Sequence, residues 1–370
     1  MIKNKNHKSI TVLGAGAWGT AMAMVLAKKG HDVCLWALEK DVVGEINRKH
    51  QNSRYLKDVK LPESLVAEGD LLKAAENRDV IIIAIPSLYV LENIKRLLSV
   101  ENIREGKSLI ALLSKGFVET DKGIRLLVET CEDYLPGFYK NSLIYVSGPS
   151  HAEEVAQGKV TGLISASLSG INAIKIRELL SGENLMVFSS FDVVGVQICA
   201  AMKNVIAIAF GMFDALKELS EKFGDNTESL LLAAGLNELQ ILGKAMGASH
   251  PETFTSIAGV GDLDVTCRSI YGRNRRFGRE IILKKLIEPY KNIDEIKAHL
   301  NQIGYLPEGL FAADLAHELI EKHHLKMPIT QGVYQVLSRK QSPLKVVNGI
   351  ISSLTRGANG ESQKQSEIKL

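Results

Sequence analysis

The chain has 370 residues, which is too long for one ordinary hydrophobic core, so we expect about two domains. Its net charge of +3 arises from acidic and basic residues interspersed along the sequence, a distribution that argues against a nucleic-acid-binding protein. The 4 cysteines lack Cys-x-x-Cys spacing and the 9 histidines form no ligand pattern, so we expect reduced thiols and no metal site.

The N-terminal domain opens with a buried strand, a glycine turn and a helix. The strand is expected from Ile10 to Leu13, and the turn has the spacing Gly14-x-Gly16-x-x-Gly19. In a dinucleotide-binding turn the first glycine makes the bend, the second lets backbone approach a pyrophosphate, and the third lets the helix pack on the strand. The pattern therefore predicts a dinucleotide site, and a purely structural strand, turn and helix is the alternative.

A second strand is expected from Asp32 to Ala37, and it ends at Leu38 and Glu39. An acidic residue about 20 positions after the glycine turn bonds the ribose hydroxyls in dinucleotide-binding domains. We therefore expect Glu39 to contact the cofactor ribose.

The segments that follow alternate between apolar strands and helices with a polar face. Further strands are expected at Val80 to Ile85, Ser108 to Leu113, Leu143 to Ser147, Gly162 to Ser167 and Met186 to Ser189. Runs this apolar are typical of strands buried on both faces of a mostly parallel sheet. The sequence predicts an α/β domain over residues 1–192.

Polar residues follow several of these strands, at the edge where open parallel sheets bind ligands. Lys115 could meet a phosphate or a carboxylate there, and a surface-loop lysine fits the pattern equally well. Gly148 and Ser150 follow another strand. Ser150 with Glu153 reads as a capping box for the next helix, and a ligand contact stays open.

An apolar segment from Val193 to Phe213 carries a single formal charge, Lys203. The segment is long enough to cross a bilayer, but a lysine at its centre would cost about 2.5–3.5 kcal/mol. We expect instead a helix buried in a soluble protein. A buried ammonium needs a partner and has a lowered pKa, which suits a general acid or base. A structural lysine at a helix kink is the alternative.

After this segment the strand pattern stops, and we expect an all-α domain over residues 193–354 and a disordered tail over 355–370. The expected helices are the central one, Thr227 to Gly247, Arg279 to Leu286, Leu310 to His324 and Thr330 to Leu337.

A segment from Ala258 to Gly278 is dense in glycine, acids and arginines and reads as a functional loop. Asp262 in it is a candidate partner for Lys203. Arg273 and Asn274 precede an expected helix, so a guanidinium, an amide and helix N–H groups could converge on a phosphate dianion. A solvated basic turn or a nucleic-acid contact is the alternative.

These motifs together resemble those of the bacterial NAD(P)-dependent glycerol-3-phosphate dehydrogenases over nearly the whole chain. The matching motifs are GAGAWG, SKG, SGPSHAEEV, AMKNVIAIAFG, GDLDVTC, GRNRRFG, PEG and MPIT. The resemblance implies a Rossmann-like N-terminal domain and a C-terminal domain like that of 6-phosphogluconate dehydrogenase. It also implies reversible reduction of dihydroxyacetone phosphate to sn-glycerol 3-phosphate with NAD(H) or NADP(H), no metal, and a role in supplying glycerophospholipid synthesis.

The resemblance assigns roles by position. Lys203 matches the catalytic acid/base, and Asp262, Thr266 and Lys115 match other residues of the reacting site. The substrate contacts implied are Lys115, Gly148, Ser150, Lys203, Asn204, Asp262, Gly272, Arg273 and Asn274. The cofactor contacts implied are Gly14, Gly16, Ala17, Trp18, Gly19, Leu38, Glu39, Lys115, Ala152, Arg273, Leu306 and Glu308.

The chain departs from the family pattern at three places. Ala17 and Gly272 stand where many bacterial members have serine, so any contact there must come from backbone. A stretch of roughly Phe213 to Lys222 is longer than usual and could alter the rim of the active site or an oligomer contact.

Two other functions stay open at this stage: a related dehydrogenase of another hydroxy acid, of the 6-phosphogluconate type, and a nicotinamide-sensing protein without catalysis. The intact Lys203, Asp262 and Thr266 argue against the second. The basic N-terminus has no signal-peptide pattern, so we expect a cytoplasmic protein with no integral membrane association. A homodimer is compatible with the sequence, which fixes neither oligomeric state nor physiological direction.

Overall fold

The computed structural model describes residues 7–358 and divides the chain into two compact units. The first unit comprises Met1–Ala200 and Gly247–Asp262, and the second comprises Ala201–Met246 and Leu263–Leu370. The division thus falls a few residues after the expected boundary at residue 192, and one later segment returns to the first unit. That segment returns because Ala258 is buried in an apolar cluster of the first unit.

The first unit is built on a mostly parallel sheet, as predicted. Its strands, with those of a separate hairpin, are β1 (Ser9–Leu13), β2 (Asp32–Trp36), β3 (Val66–Glu68), β4 (Val80–Ile83), β5 (Leu109–Leu112), β6 (Phe117–Thr120), β7 (Gly123–Leu126), β8 (Ile144–Ser147), β9 (Thr161–Ala166) and β10 (Leu185–Ser190). The order in the sheet is β10-β9-β8-β5-β4-β1-β2-β3. All pairs are parallel except β8 with β9. The short β3 and the antiparallel hairpin β6–β7 were not expected from the sequence.

The helices connect and cover these strands and make up the second unit. They are α1 (Ala17–Lys28), α2 (Lys40–Lys49), α3 (Leu71–Ala75), α4 (Ser87–Leu97), α5 (Glu101–Arg104), α6 (Leu127–Tyr134), α7 (Ala152–Ala156), α8 (Gly170–Leu180), α9 (Val193–Leu219), α10 (Asp225–Ala245), α11 (Glu252–Thr255), α12 (Asp262–Arg268), α13 (Arg273–Leu283), α14 (Ile293–Ala298), α15 (Leu300–Ile303), α16 (Glu308–His323), α17 (Pro328–Leu337) and α18 (Pro343–Ala358).

Two apolar clusters cover the two faces of the sheet. Ile82 belongs to one cluster, with side chains from α1 and α8, and its neighbours Ile81 and Ile83 belong to the other, with side chains from α4 and α6. Successive residues of a strand point to opposite faces, so this alternation shows that both faces are buried. The four cysteines are free and buried, as expected.

The segment 258–278, expected to be a loop, is largely helical. A π-helical turn, Ile257–Gly261, is followed by α12 and α13, so α13 begins at Arg273 instead of Arg279. Tertiary packing overrides the glycine content here. A Cβ on Gly278 would lie 2.0 Å from the carbonyl oxygen of Ile208, so glycine lets the backbones of α13 and α9 approach closely.

The central helix α9 continues past Phe213 to Leu219 and so includes most of the unusually long stretch. Among the described residues it is the one helix long and apolar enough to cross a membrane, and 94% of its most apolar 18-residue window is buried inside the protein. The predicted disordered tail falls mostly on residues 359–370, which lie outside the described part of the chain, and α18 extends to Ala358.

Candidate functional site

The glycine turn has the geometry that its spacing predicts. Gly14 has a φ of 115°, and a Cβ there would lie 2.9 Å from the carbonyl oxygen of Ala84. A Cβ on Gly19 would lie 1.9 Å from the carbonyl oxygen of Gly14, so only glycine lets α1 start this close to the turn. Gly16, in contrast, faces open space, with nothing within 4 Å of an added Cβ. The middle glycine is therefore the point at which a ligand can approach the backbone.

Helix α1 begins at this turn without a side-chain cap, so its first N–H groups are free to bind an anion. Ala17 is the first helical residue, and Trp18 after it packs against the apolar core. With alanine at position 17, a contact there must come from the backbone, and the uncapped N–H groups supply it. The turn and the helix start fit a dinucleotide pyrophosphate.

The far end of the predicted cofactor site lies beyond strand β2. Leu38 is 74% exposed, and Glu39 is the N-cap residue of α2. The Tyr55 hydroxyl donates a hydrogen bond of 2.5 Å to Oε1 of Glu39. Partial burial, together with this carboxylate, raises the pKa of Tyr55. Tyr55 thus holds Glu39 in place as an acceptor, and no local pattern in the sequence indicates this pairing.

A buried carboxylate lies beyond strands β5 and β8. Asp262 is fully buried, and its Oδ2 is 3.3 Å from Nζ of Lys115 and 3.3 Å from Oγ of Ser147. Gly148 has a φ of 142°, and a Cβ there would lie 2.7 Å from the carbonyl oxygen of Gly162. The strand ends therefore bring Lys115 and Asp262 together, as an ion pair with one buried partner. Ser147 was missed because its hydroxyl looks like part of an ordinary strand end.

Ser150 does not cap α7, so the predicted capping box is wrong. The helix begins at Ala152 after His151 as N-cap residue, which leaves Ser150 outside the first turn. The Ser150 hydroxyl instead donates a hydrogen bond of 2.9 Å to the carbonyl oxygen of Gly148. Ser150 therefore tightens the turn after β8.

In the second unit, Lys203 and Asn204 of α9 are buried, as the apolar run predicts. Lys203 is 6% exposed and Asn204 is 4% exposed, and Thr266 of α12 is 6% exposed. The three predicted positions therefore put an ammonium, an amide and a hydroxyl into a desolvated part of this unit. Asp262 belongs to the first unit, so its predicted pairing with Lys203 stays a prediction.

Asn204 and Asn274 form a hydrogen-bonded chain between helices. Nδ2 of Asn274 donates to Oδ1 of Asn204 at 2.9 Å, and the backbone N–H of Gly309 donates to Oδ1 of Asn274 at 2.9 Å. Because Oδ1 of Asn204 accepts, its Nδ2 group remains as a donor. The buried Asn274 amide thus joins α9, α13 and α16 through one donated and one accepted hydrogen bond.

Arg273 stands at the start of α13, after the N-cap residue Gly272, which has no side-chain cap. Its guanidinium is 56% exposed and lies 3.9 Å from the Glu308 carboxylate. Leu306 is half-buried shortly before Glu308. A partly exposed guanidinium beside uncapped N–H groups is suited to binding a phosphate.

The sequence reasoning missed an ion cluster that supports α13. Asp214 of α9 accepts from Nε and Nη2 of Arg275 at 3.0 and 2.6 Å, and from Arg279 at 2.7 Å. Hydrogen bonds to Glu218 and Asp214 raise the pKa of the Arg279 guanidinium. The cluster fixes the first turns of α13 to the longer-than-usual part of α9.

One cleft of the first unit contains none of the predicted site residues. It has a volume of about 1040 Å³ and lies at the amino ends of the parallel strands, lined in part by Lys29, His31 and Lys107. Lys29 donates to the carbonyl oxygens of Leu179 and Ser181 at the end of α8, each at 2.5 Å. We assign this lysine a structural role. Within residues 7–358, no group of three His, Cys, Asp or Glu side chains is placed to hold a metal ion.

Comparison with known proteins shows what the chain is similar to. The sequence models described as NAD-dependent glycerol-3-phosphate dehydrogenase N-terminus and C-terminus match residues 9–172 and 192–348. The glycerol-3-phosphate dehydrogenase (NAD(P)+) of Treponema denticola is 49% identical over 356 residues, covering 95% of this chain and 100% of the relative. The protein of that name from Bacillus subtilis is 37% identical over 354 residues, covering 96% of each. The crystal structure of glycerol-3-phosphate dehydrogenase from Coxiella burnetii has a TM-score of 0.81 at 35% identity, over 93% of this chain and 99% of that one.

Proposed function

The chain belongs to the NAD-dependent glycerol-3-phosphate dehydrogenase family, and on that premise we propose that it reversibly reduces dihydroxyacetone phosphate to sn-glycerol 3-phosphate. The hydride donor is NADH or NADPH. The product supplies glycerophospholipid synthesis, as the bacterial resemblance implies. The observation that carries the proposal best is the buried Lys203 beside Asn204, whose amide is tied to the turn that bears Arg273 and Asn274.

A bound nicotinamide would supply the hydride for C2 of the ketone. The residues of the chain position the ketone and transfer the proton. Lys203, as an ammonium, polarises the carbonyl oxygen and gives it a proton as the alkoxide forms. In the oxidative direction, neutral Lys203 takes the hydroxyl proton. Thr266 and Asp262 hold the ammonium in position, and Asn204, whose Oδ1 accepts from Asn274, donates to the substrate through its Nδ2 group.

The substrate phosphate binds at the start of α13. The Arg273 guanidinium and the uncapped N–H groups of this helix provide charge and directed hydrogen bonds. The Asn274 amide donates one N–H to Asn204 and accepts from Gly309, so its second side-chain N–H and its backbone N–H are the groups that it offers to the phosphate. Anchoring the phosphate orients the ketone for the chemical step.

The cofactor binds at the glycine turn, and NADH is the preferred form. Glu39, held by Tyr55, accepts hydrogen bonds from the ribose hydroxyls and repels an added 2′-phosphate. Leu38 offers the adenine an apolar face. Lys40, at the start of α2, supplies a partial countercharge, so NADPH is disfavoured and not excluded.

Two finer features belong to the same proposal. The enzyme works in the cytoplasm without integral membrane association, which the burial of the one long apolar helix among the described residues supports. It forms a homodimer, which light scattering on the purified chain would test against a monomer.

The test of the function is an assay of the purified full chain. Dihydroxyacetone phosphate should cause loss of the near-ultraviolet absorbance of NADH, and the product should be the sn-3 enantiomer of glycerol phosphate. Unphosphorylated dihydroxyacetone should be a poor substrate. A chain that binds NADH and reduces neither ketone would contradict the proposal.

A further inference from the structure

We propose that Asn52 is a positioning residue that orients the pyrophosphate-binding peptide of the glycine turn. The proposal rests on the cofactor role of this turn. Asn52 lies between α2 and β3, and the sequence around it, HQNSRY, shows only a polar connection. Its side chain is fully buried. Nδ2 of Asn52 donates to the carbonyl oxygen of Ala15 and to Oγ1 of Thr20, each at 2.8 Å.

The hydrogen-bond partners of Asn52 determine which atom of its side-chain amide, Nδ2 or Oδ1, faces the glycine turn. The Thr20 hydroxyl donates its hydrogen to the same Ala15 carbonyl at 3.1 Å, so towards Asn52 it can only accept, through a lone pair of its oxygen. A reversed Asn52 amide would bring its oxygen within 2.8 Å of the Ala15 oxygen, and neither atom could donate. The NH₂ group therefore faces the glycine turn, and two donors converge on one carbonyl.

Fixing the Ala15 carbonyl also fixes the next N–H group. The described residues contain no cis peptide bond, so the Ala15–Gly16 peptide is trans and its N–H points away from its C=O. With the carbonyl directed at Asn52, the Gly16 N–H is directed to the opposite side of the peptide. Gly16 is the glycine that faces open space. Asn52 thus presents this N–H to the pyrophosphate.

The same connection also supports the other end of the cofactor. The backbone N–H of Leu56 bonds the Asn52 carbonyl at 2.9 Å, closing a turn that carries Tyr55. Tyr55 in turn holds Glu39. One short turn therefore positions both the group that meets the pyrophosphate and the group that meets the ribose.

The unused oxygen of Asn52 shows that packing alone does not explain this side chain. Among the described residues Oδ1 of Asn52 has no hydrogen-bond partner, although it is buried. An unpaired buried oxygen is unfavourable, and an apolar side chain of similar size would avoid it. The NH₂ group compensates by holding the turn in its binding conformation.

The test compares two asparagines that each hold a backbone segment. Asn52→Leu removes the donor to Ala15 with little change of volume. Asn47→Leu is the matched control, because Nδ2 of Asn47 donates to the carbonyl of Ala67 at 2.9 Å and its Oδ1 accepts from the N–H of that residue at 2.7 Å. The dissociation constants of NADH and of ADP, and the melting temperature, are measured on the full chain without dihydroxyacetone phosphate.

Asn52→Leu should weaken binding of NADH and of ADP by about tenfold or more, the effect of a misdirected hydrogen bond to a charged group. Asn47→Leu should change both constants by less than about twofold while lowering the melting temperature at least as much. Equal affinities in the two variants would overturn the proposal. If Asn52→Leu does not fold, Thr20→Val replaces it, with Thr20→Ser expected to restore binding, and normal binding in Thr20→Val would contradict the role.

Binding without substrate keeps this inference separate from the proposed reaction. A chain that binds NADH but does not reduce dihydroxyacetone phosphate would contradict the proposed function. The binding constants of the Asn52 and Asn47 variants would still test the role of Asn52.

Discussion

The two regions that we expect to bind anions are held in place by different kinds of groups. They are the glycine turn (Gly14–Gly19) and the phosphate clamp, which consists of Arg273, Asn274 and the uncapped start of α13. Uncharged groups hold the glycine turn: the carbonyl of Ala15 accepts from Asn52 and Thr20, and the first turn of α1 contains no acidic residue. Charged groups hold the phosphate clamp, since α13 is fixed through Asp214 and Arg273 lies near Glu308.

The difference follows from what each region binds. A dinucleotide is large and makes many contacts, so shape and oriented N–H groups suffice to hold its pyrophosphate. A three-carbon phosphate offers little surface, so its binding free energy must come mainly from its charge. We therefore expect mutations that change charge to weaken binding of the substrate more than binding of the cofactor.

The largest expected effect lies in catalysis and leaves both anion sites intact. Lys203→Ala should lower kcat by about 10²–10⁴-fold, the usual contribution of general acid–base catalysis. The dissociation constant of NADH should change little. Steady-state kinetics over a range of pH, with NADH binding measured separately, checks this. Near-normal turnover at every pH would make Lys203 a structural residue.

The second largest effect is expected when the positive charge of the phosphate clamp is removed. Arg273→Ala should raise the KM for dihydroxyacetone phosphate and cost about 2–5 kcal/mol in kcat/KM, because a phosphate loses a charge-assisted pair. Unphosphorylated dihydroxyacetone, a poor substrate, serves as the control and should be much less affected. Equal losses on both ketones would place Arg273 in the chemistry or the fold.

The sequence identified residues whose role depends on local spacing. The glycine turn could be predicted because three glycines between a strand and a helix act within a few residues of one another. The burial of Lys203 could be predicted because a single charge in a long apolar segment indicates a helix that is covered on all sides. Asn52 could not, since its partners Ala15 and Thr20 are distant in sequence and its neighbours are ordinary loop residues.

Asp214 was missed for the same reason, because Arg275 and Arg279 lie 61 and 65 residues away from it. Arg275 lies in the segment 258–278, which was wrongly read as a loop, whereas Arg279 was expected to begin a helix and lies inside α13. Gly278 at the end of the segment lets the backbones of α13 and α9 approach closely, and a single sequence does not reveal such packing.

A smaller effect is expected when the ion cluster that supports the start of α13 is weakened. Asp214→Asn should lower the free energy of unfolding by about 1–3 kcal/mol, since two guanidiniums lose a charged acceptor. It should also raise the KM for dihydroxyacetone phosphate more than the KM for NADH. Denaturant unfolding and kinetics measure both.

The control is Asp225→Asn, which removes an exposed carboxylate 2.5 Å from Lys217. Its effect should stay within about 0.5 kcal/mol. If the two variants behave alike, the cluster at Asp214 does not position α13.

The ribose end of the cofactor site, unlike the glycine turn, carries a charged residue, Glu39. The ratio of kcat/KM for NADH to that for NADPH should favour NADH by about tenfold, because Glu39 repels the 2′-phosphate. Glu39→Gln should reduce the ratio, and Leu38→Arg should shift it toward NADPH. A native ratio that favours NADPH would remove Leu38 and Glu39 as the discriminating pair.

The most direct test of the comparison is ionic strength. Raising NaCl shortens the Debye length, from about 10 Å at 0.1 M to about 3 Å at 1 M, and so weakens partly exposed charge pairs such as the one expected at Arg273. The KM for dihydroxyacetone phosphate should rise several-fold over this range, while the dissociation constant of NADH changes by less than about twofold. A parallel rise of the two constants would show that charge holds both ligands, and would contradict the account.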